Sequence, residues 1–333
     1  MLPWALGVAA TGDYCWPAAM PDQTPTSPAP SPVTPPAPQT AAAEAVQSPG
    51  QSPDQSPPAL PPAGDLAALR GEIDRIDTAM HDLLMQRAGL SAHMAASRAK
   101  GSAPTFRPGR EAAILRRLLS RHAGPLPRAV VVRLWRDVIS SSLAQQGPFN
   151  MAAPGSAEGV EAQLARGHFG LLTPLKLYPT PSRVLSAVAS GEATVAIMPA
   201  PAEGEPSEAP WWVQMEAPRL QVVAGLPFLA TREGVEPQAF VVAPIVPEPT
   251  GRDRTLLRLE PEAEHTRPRI AAAFASIGLP TRWLLRRDLP NPMALAEVQG
   301  FLAPDDSRLA SLPFQRIQIL GAYAEPETED LPA

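Results

Sequence analysis

From Asp65 onward, apolar residues return mostly every three or four positions over about 35 residues. Leu66, Leu69, Ile73, Ile76, Met80, Leu83, Leu84, Leu90 and Met94 carry the pattern, and Asp65 is placed to cap its start. The spacing predicts one helix of roughly 50 Å at 1.5 Å per residue. The segment that contains it, residues 64–147, has 84 residues, and a domain of that size has a radius of gyration near ~12 Å. Such a helix overshoots its own core. Geometry alone therefore predicts a second copy covering the projecting half, a homodimer.

Breaks in the sequence divide the rest of this segment. Gly101 and Pro104 end the long helix, and Pro108-Gly109 precede a second one from Arg110 to about His122, with Ile114, Leu115, Leu118 and Leu119 inward. Gly124-Pro125-Leu126-Pro127 separate it from a third, Arg128 to about Gln146, with Val131, Leu134, Trp135, Val138, Ile139 and Leu143 inward. Gly147-Pro148 close it. After Pro148 the pattern is mixed. Val184–Ala200 reads as helix, glycine turn and strand, and Leu220–Phe228 and Ala239–Val246 read as strands. Residues beyond 248 read as a small strand–helix–strand–strand domain.

Residues 1–63 have a different character. Sixteen of the chain's 44 prolines fall in residues 1–64, among Ala, Ser, Gln and Thr and without apolar periodicity, so a disordered leader is expected there. The first twenty residues lack the basic start of a secretory signal, which leaves Met20 as an alternative initiator and the cytoplasm as the expected location. Net charge is −5, which supplies no basic field for nucleic acid, and no apolar run reaches the ~20 residues that cross a bilayer. A single cysteine, Cys15, excludes an internal disulfide, and five scattered histidines offer no zinc spacing. No metal or cofactor is expected.

The chemistry-bearing residues are cations on the helices. Arg87 and Arg98 are eleven residues apart, which brings them within about 20° of one face and about 16 Å of each other, close enough to converge on one small ligand. Arg70, seventeen residues before Arg87, lies on another face, where it could serve a partner's pocket. Arg110-Glu111 open the second helix, and Ser142 and Gln146 form an i, i+4 pair near the end of the third. Singly, each has an ordinary explanation as a solvated cation, a helix-dipole partner or a cap.

Together these residues resemble the helical, type II chorismate mutases. The quoted motifs are Leu69-Arg70-Gly71-Glu72-Ile73-Asp74-Arg75-Ile76-Asp77, Leu83-Leu84-Met85-Gln86-Arg87, then Arg98, Arg110-Glu111, and Ser142 with Gln146. The resemblance implies a three-helix, all-α domain in an intertwined homodimer, with chorismate as substrate and its Claisen rearrangement to prephenate as the reaction. It further implies Arg87 and the second copy's Arg70 on the substrate carboxylates, supported by Arg110. Arg98 and Gln146 would donate to the ether oxygen, Glu111 would accept from the ring hydroxyl, and Ser142 would complete the polar wall. Two positions depart from the family: Arg98 stands where Lys is usual, with Lys100 about 200° around the helix, and Arg107 stands where an Asp often helps hold the hydroxyl.

The second half, residues 160–326, resembles a shortened prephenate dehydratase with an ACT-like end. His168–Gly170, Val184–Pro199, Pro249–Leu257 and Ile319–Pro326 fall in the family's order. The dehydratase motifs are replaced by Pro199-Ala200-Pro201-Ala202 and Gln238-Ala239-Phe240, so dehydratase activity is expected to be absent. The expected architecture is multidomain: a leader at 1–63, the all-α domain at 64–147, an α+β region made of an α/β lobe at 148–247 and an ACT-like domain at 248–326, and a tail at 327–333. Two other functions fit the same residues, an isochorismate–pyruvate lyase on this scaffold and a metabolite-binding regulator without turnover.

Overall fold

The computed structural model describes residues 65–98, 104–205, 210–230, 236–288 and 290–329. The expected leader, Cys15, Met20, Lys100 and residues 330–333 lie outside them.

Three helices come first: α1 (Leu66–Arg98), α2 (Pro108–Arg121) and α3 (Arg128–Gln146). Asp65 caps α1, its Oδ1 accepting from the amides of Ala67 at 3.1 Å and Ala68 at 2.9 Å. Pro108 starts α2, where its missing amide costs nothing. Leu115 and Leu119 of α2 and Val131, Ile139 and Leu143 of α3 are buried. The apolar row of α1 is different: Ile73 is 56% exposed, and Ile76, Met80, Leu83, Leu90 and Met94 are exposed with it. Leu134, expected inward on the third helix, is exposed as well.

The rest is α/β. In chain order it comprises β1 (Met151–Pro154), α4 (Val160–Phe169), β2 (Leu175–Tyr178), α5 (Pro181–Ala189), β3 (Val195–Pro199), α6 (Trp211–Gln214), β4 (Gln221–Leu226), β5 (Leu229–Ala230) and β6 (Ala239–Ala243). Then follow β7 (Asp253–Glu260), α7 (Arg267–Ser276), β8 (Thr281–Arg287), β9 (Met293–Gln299), β10 (Arg316–Ala324) and β11 (Glu327–Thr328). Nine strands make one sheet in the order β2-β1-β3-β6-β4-β10-β7-β9-β8. Its β1/β2 and β1/β3 pairs are parallel and fully buried β1 sits between them, as parallel strands require.

The two halves of this sheet meet at β4 and β10, which pair at Gly321 and Val222. A single hydrogen-bonded sheet thus spans both of the regions expected as separate units. Glu327 and Thr328, expected in the tail, form β11 against β5, where the Glu327 carboxylate accepts from Arg116 of α2 at 2.7 Å.

Near that seam Glu297, 0% exposed, takes a hydrogen bond from the Tyr323 hydroxyl and faces Arg254 and Arg282, each at 3.4 Å. Burial pushes its carboxyl from an ordinary value near 4.5 up to about 7, against the opposing pull of Tyr323 and the arginines. The folded chain therefore holds a proton between those values that the unfolded chain has released, and this contribution to stability is lost as pH rises through about 7. The thermal midpoint is expected to fall as pH is raised across that window, and Glu297→Gln to flatten the slope.

Candidate active site

Helices α1 and α3 cross where Arg87 meets Ser142. The half-buried guanidinium donates from Nη1 to Ser142 Oγ at 2.6 Å and to the Val138 carbonyl at 3.3 Å. Ser142 Oγ donates to the same carbonyl at 2.9 Å and accepts from Ser91 Oγ at 3.3 Å. Ser91 comes one turn after Arg87, and its own hydroxyl reaches the Arg87 carbonyl at 3.2 Å. One turn on from Ser142, Gln146 donates to the Ser142 carbonyl at 2.9 Å. Burial, and after it the charge of Arg110, hold the Arg87 guanidinium below its ordinary range. Arg87, Ser142 and Gln146 are thus together, with Arg110 at the start of α2 within electrostatic reach.

The other expected members are placed differently. Arg70 is exposed near the start of α1, whose apolar row is exposed along most of the helix. Arg98 is the last residue of α1, and its side chain lies outside the described residues. Glu111 is engaged elsewhere: fully buried in the first turn of α2, its Oε2 accepts from Arg136 Nη1 of α3 at 3.0 Å. Burial raises the Glu111 carboxyl to about 7 although the Arg136 charge opposes it, and burial lowers Arg136 to about 10. Glu111 Oε1 has no hydrogen-bond partner among the described residues. Arg107, in the position where an acid was noted as usual, forms a forked ion pair with Glu248, at 2.8 Å from Nη2 and 3.1 Å from Nε.

Arg136 is the residue that sequence reasoning missed. Its helical neighbours Val132, Ile139 and Ser140 are buried with it, so a cation in that row needs a buried anion, a requirement visible only once the buried face of α3 is known. Among the described residues, no group of three or more His, Cys, Asp or Glu side chains is arranged to hold a metal ion, and no helix is long and apolar enough to cross a membrane.

An all-α domain whose helix crossing gathers arginines against serine and glutamine, followed by an α/β region, defines the class of this chain. The family model of chorismate mutase type II matches residues 69–147, so the helical segment is a chorismate mutase type II domain. The bifunctional chorismate mutase/prephenate dehydratase of Neisseria gonorrhoeae is 36% identical over 130 residues, 39% of this chain and 35% of that one. The protein of the same name from Pseudomonas aeruginosa is 32% identical over 142 residues, 40% of this chain and 38% of the relative. The matches thus span little more than a third of each curated relative. Among solved structures, prephenate dehydratase from Streptococcus mutans aligns with 54% of this chain and all of its own, at 16% identity and a TM-score of 0.40.

Proposed function

We propose that this chain catalyses the rearrangement of chorismate to prephenate. The observation that carries the reading is the Arg87 guanidinium, seated on Ser142 and the Val138 carbonyl at the α1–α3 crossing with the charge of Arg110 beside it, inside a chorismate mutase type II domain. The reaction is a concerted shift in a dianion and needs no nucleophile. It needs cations that hold two carboxylates in a compact shape and donors where charge grows on the ether oxygen.

In this reading Arg87 and Arg110 bind carboxylate, and Arg98 and Gln146 donate to the ether oxygen. Ser142 fixes Arg87 in place. Glu111, held through Oε2 by Arg136, accepts the ring hydroxyl at Oε1. The product is prephenate and is released as such, since Pro199-Ala200-Pro201-Ala202 and Gln238-Ala239-Phe240 replace the dehydratase motifs. Loss of chorismate absorbance on adding the full chain tests the activity. Phenylpyruvate among the products would overturn the absence of dehydration.

The site is completed by a second copy. The uncovered row Ile73, Ile76, Met80 and Leu83 on α1 supports a homodimer in which Arg70 crosses to the other copy's Arg87. Arg70→Ala and Arg87→Ala chains, each inactive alone, should recover about a quarter of wild-type turnover when unfolded and refolded together, because half the dimers then carry one intact site of two. Turnover that stays at the level of the separate variants would mean that Arg70 serves its own chain.

A further inference from the structure

Behind α3, on the side turned away from Arg87, lies an open cavity of about 1200 Å³. It is walled by α3, by the C-terminal end of α4 with the loop that follows, and by Phe228. At 100° per residue, Arg136, Ser140 and Ala144 of α3 face this cavity while Ser142 faces α1. The two helices are drawn tightly together at its edge: a Cβ on Gly170, whose φ is +78°, would lie 2.9 Å from Asp137 Oδ1.

Two buried polar groups line the cavity without satisfaction. Arg136 is engaged by Glu111 through Nη1, and its Cζ lies 5.2 Å from the Phe228 ring centroid, but its Nε has no partner among the described residues. His168, 7% exposed, packs edge-on against Phe169 at 4.6 Å, and its Nε2 likewise has no partner among the described residues. Burial, and after it the charge of Arg136, keep this imidazole neutral. Buried polar groups in native structures are nearly always paired, so two unpaired ones, Arg136 on α3 and His168 on α4, mark a place where an acceptor belongs. Leu164, Phe169 and Phe228 form the apolar part of the remaining lining, and Arg133, Arg166, Asp137 and Glu329 also border the cavity.

We propose that this cavity binds a small carboxylate with an apolar, ring-sized body, its carboxylate on Arg136 and His168 and its body against Phe169, Leu164 and Phe228. The cavity shares Arg136 with the mutase reading above, where that residue holds Glu111, but binding here does not require chorismate turnover. The neutral imidazole offers one N–H, the guanidinium a charge-assisted one, and the apolar walls favour a ligand that is more than a bare anion.

Calorimetric titration of the full chain with 3-phenylpropanoate, hexanoate and the uncharged 3-phenylpropan-1-ol tests this. One site per chain for a carboxylate is expected, with the alcohol weaker by about tenfold or more, the loss expected for a hydrogen bond to a charged group. Ala144→Trp, which fills the cavity from an exposed position, and His168→Phe should each weaken the carboxylate by about the same factor. Arg87→Ala should leave it unchanged. Failure of both carboxylates to saturate, an alcohol that binds equally well, affinity indifferent to Ala144→Trp, or binding lost in Arg87→Ala would each overturn the assignment, the last by placing the probe at the α1–α3 crossing.

Discussion

Arg87→Ala is expected to lower chorismate turnover by about 10²–10³-fold, the loss typical of removing one preorganised charge from a developing anion, while helix content by circular dichroism stays unchanged. Both hydrogen-bond partners of this guanidinium, Ser142 Oγ and the Val138 carbonyl, are neutral. Its pKa is depressed first by burial and then by Arg110, so two like charges sit within reach of one another. A dianion relieves that repulsion, and the relief grows as the substrate compacts. Arg87→Lys should recover only part of the loss, because an ammonium cannot hold Ser142 and a carboxylate with one planar fork. Ser142→Ala removes a positioning contact only, worth about 1 kcal/mol or some fivefold in rate. Wild-type rates in Arg87→Ala would show that the chemistry is elsewhere.

Gly321→Ala should cost about 4 kcal/mol or more in stability, read as a fall in the urea midpoint. The residue has φ +145°, and a Cβ there would overlap the carbonyl oxygen and amide of Val222, which are backbone and cannot turn aside. This is the position where β10 meets β4, with irregular register on both sides, at Ile319/Gly321 and at Val222/Ala224. Gly278→Ala provides the comparison. It has φ +73° but open space around it, so only the conformational cost of about 1 kcal/mol should appear. Equal effects from the two would mean that the seam yields and does not clamp.

Much of the helical half could be read from local signals. The Asp65 cap, the proline that opens α2 and the limits of α3 all follow from signals along one helix, while the meeting of Arg87 with Ser142 was implied by the family resemblance. The strands Val195–Pro199, Gln221–Leu226 and Ala239–Ala243 could be read too, since they are continuous apolar runs. What could not be read depends on residues far apart. The β4–β10 pairing joins positions about a hundred residues apart through a single residue pair, and no periodicity encodes it. Glu111 read as a first-turn acid free to face a ligand, because its partner Arg136 looked like one more helix cation. The division at 247/248 followed the order of predicted elements and the family resemblance, which carry no information about which strands share hydrogen bonds.

Helix α2 is tied to the α/β region as firmly as to its own neighbours. Leu115, Leu119 and Val132 pack with Phe228. Arg116 donates to Thr250 Oγ1 at 2.7 Å, to the carbonyl of Glu325 at 2.8 Å and to that of Arg252 at 2.9 Å, besides its pair with Glu327. A fragment cut after Gln146 would therefore be a flayed domain. Its cut side would turn leucines to water and leave a guanidinium stripped of every acceptor that oriented it, so expression of the helices alone should yield aggregate unless that surface is resurfaced with polar residues.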